Sequence, residues 1–132
     1  MAVRESQRLF PFLHVDDVGA YLDFLAHAFG FQRRTHYVDP NDPNHQHGEV
    51  VLGDEVLMIG NAHEKWGTVA PREQRLQAGV YVRVEDADAH CQLARAAGAL
   101  IESEPGDTPW GDRVYKARDP EGHQWFFGSP KT

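Results

Sequence analysis

Phe10–Phe31, with the sequence FPFLHVDDVGAYLDFLAHAFGF, and Gly79–Ala99, with the sequence GVYVRVEDADAHCQLARAAGA, are two versions of one pattern. Each version runs from a short apolar strand ending in Val-acid-Asp through a helix to a glycine. When Asp17 is placed on Asp86, the apolar positions of both strands and both helices coincide. A repeat of about 69 residues in a chain of 132 indicates two copies of one supersecondary unit. Because a duplicated unit usually places its site between the copies, we expect the functional site there.

The spacing of apolar residues predicts a β-α-β-β-β module in each copy, which together form a single α+β domain over residues 1–132. The first module covers 8–61, a linker covers 62–77, and the second module covers 78–129. Asp16 or Asp17 is expected to cap the first helix, because an Asp side chain accepts from the free N–H groups of the first turn. The predicted strands are 9–15, 47–52, 55–59, 80–84, 100–102, 113–118 and 123–127, the helices are 18–29 and 87–97, and turns or loops occupy 39–44 and 104–112.

Net charge, hydropathy and cysteine content indicate which partners and which cellular compartment suit the chain. The net charge of −7 argues against nucleic-acid binding, which needs a basic face, and it suits either a cationic ligand or plain solubility. No apolar run approaches the roughly 18 residues of a membrane span, and no signal sequence is expected at the N-terminus. The single Cys91 excludes an intrachain disulfide and fits a reducing cytoplasm, and its mid-helix position favours packing over reactivity. We therefore expect a cytoplasmic protein with a small-molecule partner.

Ala117–Phe127, with the sequence ARDPEGHQWFF, carries the most specific motif of the chain. Its Asp-Pro-Glu-Gly-His turn, together with Val15-Asp16-Asp17 and the helix that follows, resembles the vicinal oxygen chelate superfamily over about residues 8–129. That superfamily includes glyoxalase I, extradiol dioxygenases, fosfomycin resistance enzymes and bleomycin resistance proteins. The resemblance implies two modules whose curved sheets surround a cavity, and it implies a homodimer.

The resemblance also locates the four strand positions that hold a divalent metal in the superfamily's enzymes. Counted from the repeated motifs, these positions are Phe10 and Met58 in the first module and Gly79 and Phe126 in the second. None carries the His, Cys or carboxylate donor that a first-row metal needs at such a site. The sequence therefore predicts neither the usual metal site nor another cofactor.

One cluster could supply a relocated metal site. On a regular strand, His45, His47 and Glu49 would share one face, where three donors of these types suit a first-row metal. They are equally consistent with polar contacts to a ligand or with a solvated strand edge. The proline-rich turn before His45 argues against regular strand geometry there.

Strand alternation separates residues under the helices from residues on the open face of each sheet. The residues expected under the helices are Leu13, Val15, Leu57, Ile59, Val82, Val84, Trp125 and Phe127. The residues expected on the open face are Phe10, Phe12, His14, Met58, Tyr81, Arg83, Gln124 and Phe126. This face either lines an aromatic pocket or fills core between the modules. Trp110, between Pro109 and Gly111, and Trp66 in the linker are expected at the cavity mouth.

These observations favour a metal-independent small-molecule-binding protein, similar to the bleomycin-resistance branch, that sequesters an aromatic or cationic antibiotic-like compound. The predicted ligand contacts are Phe10, Phe12, His14, His47, Glu49, Met58, Tyr81, Arg83, Trp110 and Phe126. The alternative is an enzyme of the lyase, epimerase or dioxygenase type. It would use a metal at His45, His47 and Glu49 or metal-free acid–base chemistry with His14.

Overall fold

The computed structural model describes residues 6–72, 74 and 78–131. Parts of the predicted linker, at 73 and 75–77, and the two chain ends, 1–5 and 132, lie outside the described residues. The chain divides into two compact units, 1–70 and 71–132, which we call the first and second unit. Neither helix in the described part of the chain is long and apolar enough to cross a membrane.

The first unit packs one helix on one face of a four-stranded sheet. Its elements are β1 (Phe12–Val15), α1 (Val18–Phe29), β2 (Gln32–Asp39), β3 (Asp42–Leu52) and β4 (Glu55–Asn61), followed by a 3-10 turn at Glu64–Trp66. The sheet order is β1-β4-β3-β2, with β1 parallel to β4 and the other pairs antiparallel. Asp17 Oδ1 accepts from Ala20 N at 3.1 Å at the helix start, and Gly30 (φ 81°) ends it in the left-handed conformation.

The second unit repeats this arrangement. Its elements are β5 (Val80–Arg83), α2 (Ala87–Ala96), β6 (Leu100–Asp107), β7 (Asp112–Arg118) and β8 (Gln124–Pro130). The sheet order is β5-β8-β7-β6, again with only the first pair parallel. Asp86 caps α2 by accepting from Ala89 N at 3.1 Å. The α+β fold that the duplicated pattern predicts is confirmed.

Several strands differ from the sequence prediction. β1 begins at Phe12 rather than at residue 9, and β8 continues to Pro130 rather than ending at residue 127. β2 was not located in the sequence because nearly all its side chains are exposed, so QRRTHYVD shows no apolar alternation. β3 begins at Asp42 and β6 continues to Asp107, so only Pro40-Asn41 and 108–111 remain as turns. The prolines in these strands lie where the pairing is irregular, so a missing N–H costs little. Pro43 of β3 lies where the pairing with the edge strand β2 is irregular, and Pro105 lies in the edge strand β6 within a register shift.

The burial pattern follows the predicted alternation. The helix-facing side of the sheets is buried, with Val15, Ile59, Trp125 and Phe127 all at 0% exposure. On the other face Phe12 and Tyr81 remain 50% and 48% exposed. Each unit therefore has one complete core beneath its helix and one open sheet face.

The Asp-Pro-Glu-Gly-His turn is held together by the buried Asp119 carboxylate. Its Oδ1 accepts from the backbone N–H groups of Glu121 and His123, each at 3.0 Å, and its Oδ2 accepts from Trp125 Nε1 at 2.8 Å. Gly122 (φ 94°) brings its backbone against Arg72, where a Cβ would lie 2.0 Å from Arg72 O. The motif is thus a structural turn that docks residues 71–72 and orients the buried Trp125.

Candidate functional site

A glycine on the last strand of each unit lets aromatic side chains from the first strand lie flat over the open face. In the first unit a Cβ on Gly60 would lie 2.9 Å from the Phe12 ring and 3.3 Å from the His14 ring. In the second unit a Cβ on Gly128 would lie 2.0 Å from Tyr81 Oη. Such distances leave no room for a larger residue. The two glycines therefore allow the rings of the first strand to pack directly against the backbone of the last strand.

The second unit holds the larger cavity, with a volume of about 670 Å³. Its apolar lining comes from Tyr81, Trp110, Val114 and Phe126. The Tyr81 and Phe126 rings are nearly parallel, with centroids 6.3 Å apart, and Trp110 is 74% exposed in the turn between β6 and β7. The polar lining comes from Ser103, Glu104, Asp107, Thr108 and Lys116, and the cavity also touches Gly79, Gly106 and Tyr115. We call this space the second-unit cavity.

Hydrogen bonding fixes the Tyr81 ring at the edge of this cavity. Its hydroxyl donates to Asp112 Oδ2 at 3.1 Å, and the Arg83 guanidinium lies 3.8 Å from the same carboxylate oxygen. Burial raises the pKa of the Tyr81 phenol, and the hydrogen bond to the Asp112 carboxylate raises it further. Tyr81 therefore stays neutral at physiological pH and presents an aromatic face to the cavity.

Two carboxylates on the cavity wall are paired with arginines. Arg95 donates to Glu104 in a short contact, and Arg113 Nη1 donates to Asp107 Oδ1 at 3.1 Å. The hydrogen bond from Arg113 lowers the pKa of Asp107, so this carboxylate is ionised. Arg113 also pairs with Asp88, and Lys131 Nζ lies 3.5 Å from Asp107 Oδ2.

The first unit holds a smaller cavity of about 240 Å³, which we call the first-unit cavity. The Phe12 and His14 rings stack at 4.8 Å between centroids, and the His47 ring meets Phe12 edge-on at 6.1 Å. Trp66 closes another side, 5.1 Å from the His45 ring. Gln46, Gly60 and Asn61 complete the lining. This cavity is dominated by imidazole rings.

The structure separates the histidines of the candidate metal cluster. His45 lies in an irregular part of β3, and its Nδ1 is 3.2 Å from Asp39 Oδ2. His47 Nε2 is instead 2.9 Å from Glu49 Oε2, and Arg34 lies 3.5 Å from the other oxygen of Glu49. Within the described part of the chain, no three His, Cys, Asp or Glu side chains are grouped so that they could hold a metal.

The four positions that hold a metal in the superfamily's enzymes do not fit one here. Phe10 and Phe126 have no donor atom, and Met58 offers only a thioether, which does not suit Zn²⁺ or Mn²⁺. At Gly79 even a Cβ would lie 2.9 Å from the Gln124 carbonyl oxygen and 3.1 Å from the Phe126 ring. This position therefore has no room for a ligating side chain in the present backbone.

The predicted contact residues fall into three groups. Phe12, His14 and His47 line the first-unit cavity, together with Trp66. Tyr81, Trp110 and Phe126 line the second-unit cavity. The lining of these cavities does not include Phe10, Glu49, Met58 and Arg83.

Lys116 is a polar residue of the second-unit cavity that is absent from the predicted ligand contacts. Lys116 alternates along β7 with Tyr115 and Ala117, both fully buried beneath α2. The same alternation rule that placed Phe126 on the open face also places Lys116 there. The predicted strand at 113–118 therefore already contained the signal that locates Lys116.

The chain was compared with known proteins. The model of the Glyoxalase/Bleomycin resistance protein/Dioxygenase superfamily matches residues 9–127. An uncharacterized protein of Mycobacterium tuberculosis is 29% identical over 98% of this chain and 78% of its own length. The crystal structure of TioX from Micromonospora sp. ML1 superposes with a TM-score of 0.74 at 30% identity, covering 95% of this chain and 99% of TioX.

A second solved structure has a more distant sequence. TnmS3, described as an antibiotic binding protein from Streptomyces sp. CB03234, has a TM-score of 0.71 at 20% identity, over 97% of this chain and 100% of TnmS3. At this identity the likeness concerns the fold. The family match extends over nearly the whole chain and includes both copies of the repeat and the Asp-Pro-Glu-Gly-His turn. The chain therefore belongs to the Glyoxalase/Bleomycin resistance protein/Dioxygenase superfamily.

Proposed function

We propose that the protein is a metal-independent small-molecule-binding protein that sequesters an aromatic, antibiotic-like compound in the second-unit cavity. The observation that carries this proposal is the cavity of about 670 Å³ bounded by Tyr81, Trp110 and Phe126. Small-molecule sites usually have volumes of about 300–1,000 Å³, with mostly apolar linings and a few polar groups. The antibiotic-binding description of TnmS3, a protein of the same fold, supports this class of function.

Trp110 is the side chain best placed to stack on a planar ligand. It lies in a Pro-Trp-Gly turn and is 74% exposed, so its ring contributes little to the core and is available to a ligand. Aromatic pairs contribute about 0.5–1.5 kcal/mol beyond the area they bury. The loss of Trp110 should therefore weaken binding of a planar compound by about tenfold once its buried area is included.

The test uses isothermal titration of naphthalene-2-carboxamide, an uncharged planar probe, into the whole chain. Trp110→Ala should weaken binding about tenfold, whereas the matched control Trp66→Ala, which alters only the first-unit cavity, should leave the affinity unchanged. Treatment with EDTA should also leave the affinity unchanged. Absence of binding by the unaltered protein, or abolition of binding by the chelator, would contradict the proposal.

We also propose that the protein is a homodimer. The segment that leads into β1 exposes Leu9, Phe10 and Phe12, and exposed apolar surface of this kind often marks a protein interface. Light scattering during gel filtration checks the mass in solution. A monomer at micromolar concentration would contradict the dimer without affecting the binding proposal.

A metal-free acid–base enzyme is the second candidate function. The observation that favours it is the pair His47 Nε2 and Glu49 Oε2, 2.9 Å apart, beside His14 and the first-unit cavity. A carboxylate that orients an imidazole is the arrangement a general base requires. In assays of isomerase and lyase turnover, His47→Ala and Glu49→Ala should each abolish activity without unfolding the protein. The matched control His27→Ala, on the surface of α1, should retain activity.

A further inference from the structure

Lys116 occupies the wall of the second-unit cavity and is only partly accessible to solvent. It lies on β7 opposite Ser103 of β6 and opposite Phe126 of β8. Its neighbours along the strand, Tyr115 and Ala117, point to the core, so the Lys116 side chain lies on the cavity side. A lysine side chain that lies along the wall of a largely apolar cavity keeps its charge and its three donors, which a bound acceptor can engage.

The carboxylates on and beside the wall of this cavity already have other partners. Glu104 pairs with Arg95, and Asp107 pairs with Arg113 and with Lys131, whose Nζ is 3.5 Å away. Asp112 accepts from the Tyr81 hydroxyl. Among residues 6–72, 74 and 78–131, no carboxylate oxygen lies within 4.0 Å of the Lys116 ammonium, and no hydrogen-bond acceptor is found for it. Lys116 is thus the basic group of this wall whose charge the described chain leaves uncompensated.

We propose that Lys116 is the anion-binding group of the second-unit cavity and that the ligand is an aromatic compound with an anionic oxygen, a carboxylate or a phenolate, attached to its ring. This inference rests on the proposed function and names the ligand class of the same site. The ring lies between Trp110 and the Tyr81 and Phe126 side chains, and the anionic oxygen accepts a charge-assisted hydrogen bond from Lys116 Nζ.

The net charge of −7 does not oppose this assignment. At physiological ionic strength the Debye length is about 8 Å, so exposed carboxylates beyond that distance are largely screened. Around the cavity Arg95 pairs with Glu104, and Arg113 and Lys131 together face Asp107 and Asp88, so these ion pairs balance one another. Lys116 is a positive charge that lines the cavity outside these pairs.

The experiment compares three probes that share one ring system. Naphthalene-2-carboxylate, naphthalene-2-carboxamide and 2-naphthylmethylammonium are titrated calorimetrically at neutral pH into the unaltered chain, Lys116→Met, Lys116→Gln and the control Lys65→Met. Lys65 belongs to the first unit and pairs with Asp42 at 3.0 Å. We expect the carboxylate to bind the unaltered protein about tenfold more tightly than the carboxamide, because its negative charge adds ion-pair attraction to the hydrogen bond that Lys116 can donate to either probe.

In both Lys116 variants the preference for the carboxylate should disappear, because the affinity for the carboxylate falls much more than the affinity for the carboxamide. Lys65→Met should keep the preference. Equal affinities of carboxylate and carboxamide for the unaltered protein, or tightest binding of the ammonium probe, would overturn the inference and leave the proposed function standing. If the affinities for the carboxylate and the carboxamide fall equally in the Lys116 variants, the inference is also overturned, because Lys116 would then only support the cavity wall. Failure of all three probes to bind would contradict the proposed function and this inference with it.

Discussion

Replacement of Gly128 by alanine should displace the Tyr81 ring, which packs directly against the Gly128 backbone in the second unit. The alanine Cβ would lie 2.0 Å from Tyr81 Oη and 2.7 Å from Tyr81 Cζ, whereas ordinary contact begins near 3.4 Å. The end of the ring must therefore retreat by about 1.4 Å from the sheet. Because Tyr81 lines the second-unit cavity, this displacement carries the ring into the space a ligand would use.

The cost to folding is moderate because the Tyr81 side chain can move. Insertion of a methyl group into well-packed surroundings costs about 1–3 kcal/mol. Tyr81 is 48% exposed, which places the change at the lower end of that range, but its hydrogen bond to Asp112 is lost as well. A net hydrogen bond contributes about 1 kcal/mol. We therefore expect Gly128→Ala to lower the free energy of unfolding by about 2 kcal/mol.

Urea denaturation of a double-mutant cycle checks the cause of this loss. In a Tyr81→Ala background no ring opposes the new methyl group, so Gly128→Ala should cost less than about 0.5 kcal/mol there. Gly106→Ala is the matched control, because a Cβ at Gly106 approaches nothing closer than 3.9 Å. Additive effects of the Tyr81 and Gly128 substitutions would refute the reasoning, since they would show that the two residues do not compete for the same space.

Three further predictions follow from buried groups. Asp119→Ala should lower the free energy of unfolding by about 3 kcal/mol in urea denaturation, because it leaves the buried Trp125 Nε1 without its 2.8 Å acceptor, and Asp119→Asn should cost less. Burial raises the pKa of the Tyr115 phenol, so the folded protein keeps this proton when the unfolded chain ionises near pH 10. The stability that Tyr115 contributes is thus fully present below about pH 10 and falls as the pH rises further. In urea denaturation, Tyr115→Phe should therefore lose less stability than the unaltered protein between about pH 9 and pH 11. Burial likewise raises the pKa of the Cys91 thiol, and this residue is only 1% exposed. A disulfide reagent should therefore label Cys91 far more slowly in the native protein than in urea. Equal labelling rates would contradict its packing role.

The repeated strand–helix pattern could be predicted from sequence because its signals are local. The capping residue Asp17 and the terminating Gly30 act within one helical turn, and the predicted bounds of α1 match the structure. The alternation of β8 likewise placed Trp125 in the core and Phe126 on the open face, because one face of that strand is fully buried.

Edge strands and side-chain partners could not be predicted in the same way. β2 is exposed on both faces, so no periodic signal marks it. Its pairing with β3 extends to residues as far apart as Gln32 and Val51. The separation of His45 from His47 arises from the irregular pairing in β3, where Asn61 Oδ1 accepts from Gln46 N at 2.7 Å. Such a contact between distant residues is set by tertiary packing rather than by spacing in the sequence.

The duplication also shows how the two open faces have diverged. Glu49 faces Met58 in the first unit, and Lys116 faces Phe126 at the corresponding register in the second. Glu49 is compensated by His47 and Arg34, whereas the described chain supplies no such partner for Lys116. One strand position therefore carries a neutralised acid in one copy and an uncompensated base in the other. Both copies keep a glycine under the aromatic rings, at Gly60 and Gly128. The backbone arrangement is therefore the same in both copies, while the side chain at this strand position is acidic in one and basic in the other.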